Sequence, residues 1–203
     1  MLPACSSWNT ARERTRGVPF CYYGSMTIYF VTSNEDKLRE VQTIIPEVRQ
    51  LDIDLPEIQH IDARKIIEVK LQEALKLHGG PLIVEDTSLY LDALNGLPGP
   101  LIKWFLKTMG TEGIYNIGQS MGNTTASGRT IIGYADGAGN TEFFEGAIGG
   151  EVVSPRGDDG FGWDEIFQPH GSDQTFAEMG GEKKGKISMR RLAVEQLQRS
   201  LQV

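Results

Sequence analysis

The stretch TIYFVTSNEDKLREVQTII (residues 27–45) determines the fold class, because two hydrophobic periodicities meet within it. Residues 27–32 (TIYFVT) are β-branched and aromatic, which predicts a buried strand. Asn34 offers an N-cap for a helix. Apolar residues then recur at helical spacing, at Leu38, Val41 and Ile45. The stretch therefore predicts a strand, a loop and a helix, an arrangement that aims backbone N–H groups at a phosphate.

Strand and helix patterns also alternate in the rest of the chain. The predicted elements are a helix at 62–77, a buried strand at 82–84, helices at 101–109 and 111–121, strands at 129–136 and 141–153 around the hairpin signal DGAGN, and a last helix from Ser188. Early alternation followed by a hairpin predicts an α/β fold with a mixed β-sheet and flanking helices.

Size and charge limit the class of protein. With 203 residues the chain suits one domain, or two lobes that share one core. The net charge of −7 argues against a protein that binds nucleic acid, since such proteins usually present a basic surface. No run of 18 apolar residues exists, which argues against a membrane protein. Two cysteines, Cys5 and Cys21, make no disulfide framework and predict free thiols in a reducing compartment.

Residues 1–25 differ from the rest of the chain. They contain three Arg and one Glu and have no apolar stretch of the kind found in a secretory signal. An Arg-rich start is compatible with a transit peptide, but we expect a disordered extension or a misassigned upstream start. Met26 directly precedes the first strand, so we predict a single domain of two lobes over 26–203.

Two polar clusters lie where predicted strands end. The first strand is followed by hydroxyl, amide and ammonium groups that can bind phosphate, on Thr32, Ser33, Asn34 and Lys37. The second strand runs into Glu85 and Asp86, and carboxylates at the end of a strand suit Mg²⁺. Helix capping by Asn34 explains part of the first cluster, and a cap or solvated turn is the alternative for the second.

Three further features lie outside these strands. Lys70 falls on the apolar stripe of its helix, either as a site residue or with its ammonium reaching water. FGWD (161–164) offers an aromatic face to a base, or is a tight turn with Trp163 in the core. The basic run at 182–191 is placed here at a helix start, where its charge opposes the macrodipole unless an anion binds; a solvated patch is the alternative.

Taken together, these clusters resemble the inosine triphosphate pyrophosphatase family, also called the Ham1-like family, over about residues 27–201. The motifs that carry the resemblance are TSNEDK (32–37), DLPE (54–57), VEDT (84–87), LPGP (97–100) with Lys103, FGWD (161–164) and TFAEM (175–179). The resemblance implies a cytoplasmic, homodimeric, Mg²⁺-dependent enzyme that hydrolyses ITP, dITP and XTP to the monophosphate and pyrophosphate. It also implies an elongated mixed sheet with the substrate in a central cleft between two lobes.

The resemblance also implies a role for each matching residue. Phosphate binding is implied for Thr32, Ser33, Asn34, Lys37, Lys70 and Lys184, with Thr87 and Lys103 near the substrate. Metal binding is implied for Glu57 and Asp86, with Glu85 beside them, and Asp86 would activate the attacking water. Base binding is implied for Phe161, Gly162, Trp163, Asp164, Met189 and Arg190.

One position departs from the family pattern. The family has Ser-His-Arg at the start of the last helix, and this chain has Ser188, Met189 and Arg190. Methionine cannot donate a hydrogen bond to a 6-keto oxygen. We expect weaker selectivity for ITP over ATP, unless Arg190 and backbone donors suffice. A catalytically silent nucleotide-binding or regulatory protein is the alternative function, but the retained carboxylates and lysines favour an enzyme.

Overall fold

The computed structural model describes residues 27–202, so the extension predicted at residues 1–25 lies outside the described residues. The strands are β1 (Tyr29–Val31), β2 (Arg49–Leu51), β3 (Leu82–Leu91), β4 (Pro98–Gly99), β5 (Thr125–Ala135), β6 (Thr141–Val152) and β7 (Phe167–Pro169). The α-helices are α1 (Glu35–Gln42), α2 (Ala63–Leu77), α3 (Ile102–Ser120), α4 (Phe176–Ile187) and α5 (Met189–Leu201). No helix within the described part is long and apolar enough to cross a membrane.

All seven strands form one mixed sheet with the order β2-β1-β3-β5-β6-β7, and β4 pairs with β3 beside this path. The strands β2, β1 and β3 are parallel, whereas β3, β5, β6 and β7 are antiparallel neighbours. This sheet and its flanking helices confirm the predicted α/β class. The two strands around DGAGN, β5 and β6, pair over their full length as predicted from the hairpin signal.

The strand predicted at 82–84 is longer than expected. It continues to Leu91, so Glu85 and Asp86 lie within β3 and not at its end. The pattern ended the strand too early because charged residues usually mark the end of a buried strand, but here their partners come from the neighbouring helices. On one side of β3, β1 pairs with residues 82–83 and β4 with residues 89–90. Within the described chain, residues 84–88 therefore have no strand partner on that side.

The two faces of β3 are covered by different helices. Leu82 and Val84 pack with α2 residues such as Ile67. Ile83 packs on the opposite face with α1 and α5, for example against Val194. Because successive side chains of a strand alternate between faces, Glu85 lies on the side of α1 and α5, and Asp86 on the side of α2.

Several predicted helices are confirmed with small shifts of boundary. Asn34 caps α1, Asp62 caps α2 and Ser188 caps α5, each with its side chain accepting a backbone N–H. The two helices predicted at 101–109 and 111–121 form the single element α3. A break in it remains at Gly110, whose φ of 67° is outside the helical region.

The sequence analysis placed the basic run 182–191 at the start of a helix, and this prediction is wrong for the lysines of the run. Lys184 and Lys186 lie in the last turn of α4, where positive charge complements the helix dipole. The sequence analysis missed α4, which begins at a capping box formed by Thr175 and Glu178. Positive charge at the start of α5 comes from Arg190, which is paired with Glu85 and Glu40, and from Arg191, which is paired with Glu195.

Candidate functional site

A cleft of about 600 Å³ opens where residues 84–88 of β3 have no strand partner. It is bounded by the loop after β1, the segment before α2, β3 itself and the start of α3. The predicted site residues that line it are Thr32, Ser33, Asn34, Lys37, Glu57, Lys70, Glu85, Asp86, Thr87 and Lys103. The fold thus gathers in one cleft the residues predicted to bind phosphate and metal.

The loop after β1 is held by its own polar side chains. Asn34 Oδ1 accepts hydrogen bonds from the backbone N–H of Asp36 (2.9 Å) and Lys37 (3.1 Å). The backbone N–H of Asn34 donates to Thr32 Oγ1 at 3.1 Å. Asn34 therefore caps α1 and also lines the cleft, so the start of α1 lies at the candidate site.

Lys70 reaches the cleft from the apolar stripe of α2. Its ammonium lies 2.6 Å from Glu57 Oε1 and donates to the backbone oxygen of Glu85 at 3.4 Å. The same Glu57 carboxylate is 3.7 Å from the Lys103 ammonium. Burial acts to raise the pKa of Glu57, but the hydrogen bond and charge of Lys70 outweigh it and hold the pKa below its ordinary value.

Glu85 is a buried carboxylate surrounded by donors. Arg190 donates from Nε to Oε2 (2.6 Å) and from Nη2 to Oε1 (3.0 Å). Thr87 Oγ1 donates to Oε1 at 2.8 Å, and the Lys37 ammonium lies 3.1 Å from the same oxygen. Burial opposes ionisation, yet these charges hold the pKa of Glu85 well below its usual range. The carboxylate links α1, β3 and α5.

Asp86 has a different environment on the other face of β3. Its Oδ2 accepts a hydrogen bond of 2.6 Å from the hydroxyl of Ser88. Burial raises the pKa of Asp86, although the Ser88 hydrogen bond and the charge of Lys70 act in the opposite direction. Two adjacent residues thus differ sharply: Glu85 is fully neutralised by donors, and Asp86 is the carboxylate that retains capacity for a ligand.

A second cavity of about 440 Å³ continues the cleft toward α4 and α5. Its lining includes the residues predicted to bind the base, Phe161, Gly162, Trp163, Asp164, Met189 and Arg190. Lys184, which was predicted to bind phosphate, lies here and does not line the first cavity. Lys37, Thr87 and Lys103 line both cavities, so the two are contiguous. The predicted phosphate and base ends therefore belong to one cleft.

The aromatic wall of this second cavity is built on an ion pair. The Lys184 ammonium lies 2.7 Å from Asp164 Oδ2 and 4.1 Å from the centroid of the Phe161 ring. Asp164 Oδ2 also accepts the backbone N–H of Phe161 at 2.9 Å. Burial raises the pKa of Asp164, with Lys184 acting in the opposite direction. These contacts fix the Phe161 ring over the Lys184 ammonium.

Trp163 and Met189 belong to the hydrophobic core as well as to the cavity wall. Both are buried in one apolar cluster, where the Trp163 ring packs edge-on against Phe167 with 5.2 Å between centroids. Most of the Trp163 side chain is therefore packed in the core, as in the alternative given in the sequence analysis. The two side chains give the second cavity an apolar floor.

Two residues that the sequence analysis missed support the site. Glu40 on α1 lies 2.6 Å from Arg190 and 3.4 Å from Lys184, and so connects three helices. Ser88 holds Asp86 from the same strand. A signal existed for Glu40, since it follows Lys37 by three residues on one helix face. Ser88 follows Asp86 by two residues, the spacing of one strand face, but the strand was predicted to end before it.

A family model described as the Ham1 family matches residues 28–200. The chain belongs to the Ham1 family. Among similar Ham1-family proteins, the inosine triphosphate pyrophosphatase of Schizosaccharomyces pombe is 42% identical over 175 residues, covering 84% of this chain and 93% of the relative. The dITP/XTP pyrophosphatase of Methanopyrus kandleri is 39% identical, with the same coverage of 84% and 93%.

Solved Ham1 structures have the same fold. The Ham1 protein of Staphylococcus aureus superposes with a TM-score of 0.75 at 26% identity, covering 86% of this chain and 97% of that protein. The HAM1 protein of Coxiella burnetii gives a TM-score of 0.75 at 25% identity, covering 86% and 98%. The mixed sheet and flanking helices described above are therefore those of Ham1 proteins.

Proposed function

We propose that this chain is a nucleoside-triphosphate pyrophosphatase that converts ITP, dITP and XTP to the monophosphate and pyrophosphate, and so removes these nucleotides from the cellular pool. The observation that carries the proposal is the single cleft, with lysines and carboxylates at one end and the Phe161 wall at the other. Family membership and relatives named for this activity at about 40% identity support it. Between these two ends lie Lys37, Thr87 and Lys103, which line both parts of the cleft.

At the phosphate end, the residues act mainly by position and charge. The start of α1 lies at the cleft, and the positive end of its helix dipole favours an anion there. The N–H groups of Asn34, Asp36 and Lys37 are already donated to loop side chains, so direct contacts to phosphate come from the side chains of the loop. The lysines Lys37, Lys70 and Lys103 supply positive charge to oxygens that become more negative during cleavage. Lys184, whose predicted role was phosphate binding, lies at the base end of the cleft, where its ammonium is paired with Asp164.

Glu57 and Asp86 fit a magnesium ion. Both line the same cleft, and Mg²⁺ usually takes one or two protein carboxylates and completes its shell with water and substrate phosphates. Glu85 lies beside them, with its oxygens bound to Arg190, Thr87 and Lys37. A bound Mg²⁺ would stabilise the charge on the phosphate oxygens. Asp86 would orient the attacking water and accept its proton.

At the base end, we propose that the exposed face of Phe161 stacks on the purine. Gly162, Trp163 and Asp164 continue the same wall, and Met189 and Arg190 close it from α5. The Arg190 guanidinium makes four hydrogen bonds, to Glu85, Glu40 and Thr87, so we propose that base recognition here relies mainly on backbone donors and the apolar floor. We further propose that the protein is cytoplasmic and forms a homodimer. Light scattering of the purified protein would test the dimer.

The experiment that tests this function measures pyrophosphate release from ITP, XTP, dITP, ATP and GTP, each with Mg²⁺ and with EDTA. We expect rapid release from ITP, dITP and XTP with Mg²⁺ and none with EDTA. Orthophosphate as the first product would contradict the reaction. The alternative, a silent nucleotide-binding protein, predicts binding of every substrate without turnover.

An Asp86→Asn variant separates catalysis from binding. The amide retains the shape of the carboxylate but cannot accept a proton, so we expect kcat to fall by about 10²–10⁴-fold. Binding of a non-hydrolysable α,β-methylene analogue of ITP, measured by calorimetry, is expected to persist. Undiminished turnover by this variant would remove Asp86 from the mechanism.

A further inference from the structure

Ser88 is a buried hydroxyl residue next to the cleft, and the roles proposed above do not use it. It lies on β3 and is 1% exposed. Its Oγ donates a hydrogen bond of 2.6 Å to Oδ2 of Asp86, two residues earlier on the same strand. Since alternate residues of a strand point to the same face, the two side chains lie next to each other on the side of α2.

The direction of this hydrogen bond follows from the number of protons. An ionised carboxylate only accepts hydrogen bonds, and a serine hydroxyl has a single proton, so Ser88 donates that proton to Asp86. Tyr90 is the next residue on this face, and the Arg129 guanidinium lies 4.7 Å from the centroid of its ring.

Asp86 needs such a support because other charges compete for its carboxylate. The ammonium groups of Lys70 and Lys37 both attract it. Lys70 is already paired with Glu57, and a rotation of the Asp86 side chain toward either lysine would remove it from a metal or water position. The Ser88 hydrogen bond holds Oδ2, so Oδ1 is the oxygen left for a ligand.

We infer that Ser88 is a positioning residue that fixes the Asp86 carboxylate for a divalent cation and its bound water. The inference rests on the proposed function, since it requires Asp86 to be a metal ligand. Hydrogen-bond partners of metal-binding carboxylates typically contribute about 10–100-fold to metal affinity. Ser88 supplies this support from within the same strand, without a loop that has to close.

The experiment uses Mn²⁺ as a probe for the metal site of the full chain. Electron paramagnetic resonance of free Mn²⁺ gives its Kd for each variant, with and without the α,β-methylene analogue of ITP. We expect Ser88→Ala to raise the Kd by about 10–100-fold. Ser88→Cys retains a similar volume with a weaker donor, so its Kd is expected to lie between those of Ser88→Ala and wild type. Tyr90→Phe leaves the Ser88 proton on Asp86 and is expected to change the Kd little.

Thr175→Ala is the matched control for loss of a buried hydroxyl. Thr175 is fully buried, caps α4 and does not line either part of the cleft. We expect it to lower the unfolding midpoint and to retain the wild-type Kd for Mn²⁺. If Ser88→Ala also retained the wild-type Kd, or if Thr175→Ala raised it equally, the inference would be overturned.

Two further results distinguish this inference from the proposed function. A wild-type protein that binds Mn²⁺ but releases no pyrophosphate would contradict the function, while the Ser88→Ala shift in Kd would still support the inference. A wild-type protein that binds no Mn²⁺, with or without the analogue, would overturn the inference, because Asp86 would then hold no metal. In the active enzyme, we expect Ser88→Ala to raise the Mg²⁺ concentration for half-maximal activity and to leave kcat at saturating Mg²⁺ within a few-fold of wild type.

Discussion

At the scale of single residues, Glu85 and Arg190 form the most deeply buried ion pair of the described chain, with each side chain 1% exposed. Removal of the Glu85 charge leaves the buried Arg190 with Glu40 as its remaining carboxylate partner. We expect Glu85→Gln to lower the free energy of unfolding by about 3 kcal/mol, the lower end of the range for a broken buried pair, measured by urea denaturation at neutral pH. Glu182→Gln is the control, since its pair with Lys186 is exposed and we expect no detectable change.

The same pair predicts how stability depends on pH. The folded-state pKa of Glu85 is depressed, so its contribution to stability is present above the unfolded pKa of about 4.3 and decreases as the pH falls through the folded value. The difference in stability between wild type and Glu85→Gln should therefore be constant near neutrality and shrink below about pH 4. A difference that increases on acidification would contradict the assignment.

Met189 is the residue at which we expect base selectivity to be set. It lines the base cavity within the cluster of Trp163, and it offers no hydrogen-bond donor to a keto oxygen. Met189→His is expected to raise the ratio of kcat/KM for ITP over ATP by several-fold to about tenfold, the effect of one added hydrogen bond. Use of a ratio cancels any loss of folded protein. Met189→Leu should keep the wild-type ratio, and an unchanged ratio in Met189→His would refute the hypothesis.

At the scale of elements, the glycines of α4 provide an adjacent pair for comparison. Gly180 has a φ of 67° at a break in the helix, whereas Gly181 has helical geometry and nothing within 4 Å of an added Cβ. We expect Gly180→Ala to lower stability by about 1–3 kcal/mol, because its φ of 67° and ψ of 168° lie in a region that is adopted almost only by glycine. Gly181→Ala should raise stability by roughly 0.5–1 kcal/mol, because alanine loses less entropy in a helix.

The activity of the two glycine variants provides a second measurement. Lys184 follows the break by four residues, and its position over Phe161 depends on the direction of the second half of α4. We expect kcat/KM for ITP to fall in Gly180→Ala and to stay near wild type in Gly181→Ala. Equal stability and activity of the two variants would show that the break at Gly180 has no structural role.

Elements with one clear periodicity could be predicted from the sequence, and those that depend on distant partners could not. The apolar stripe gives α2 almost to the residue, and the cap at Asn34 gives the start of α1, although α1 ends at Gln42 and not near Ile45 as its periodicity suggested. The end of β3 was misplaced because Glu85 is neutralised by Arg190, 105 positions later in the chain. The helix α4 was missed because its three glycines lower helix propensity, and its stability depends on Phe176 and Ala177 being buried.

For the candidate site, local motifs identified the residues, but not their contacts. Lys37 was assigned to phosphate, and the structure also places it 3.1 Å from Glu85. That distance joins a helix and a strand 48 positions apart in the chain, and no local pattern encodes it. The pairing of Glu40 with Lys184 and Arg190 is of the same kind. The type of each residue was enough to predict its role in the site. The ion pairs that compensate its charge could be identified only from the folded structure.

At the scale of the whole molecule, the described residues 27–202 contain three hydrophobic clusters and the complete set of proposed site residues. The three hydrophobic clusters begin at Ile28, and every proposed site residue follows Val31. A chain that starts at Met26 is therefore expected to retain the wild-type kcat/KM for ITP and the wild-type unfolding midpoint. Loss of either on removal of residues 1–25 would contradict the prediction that this segment is a dispensable extension.

The alternation of β3 has a consequence for how this enzyme can diverge. Glu85 faces the helices α1 and α5 on one side of the sheet and Asp86 faces α2 on the other, so insertion of one residue between Val84 and Glu85 would exchange their sides. Arg190 would then keep only Glu40 as a carboxylate partner. Substitutions can accumulate around the cleft, but the length of this strand is fixed, and a library aimed at new nucleotide specificity should vary α5 and the Phe161 loop while leaving the strand length unchanged.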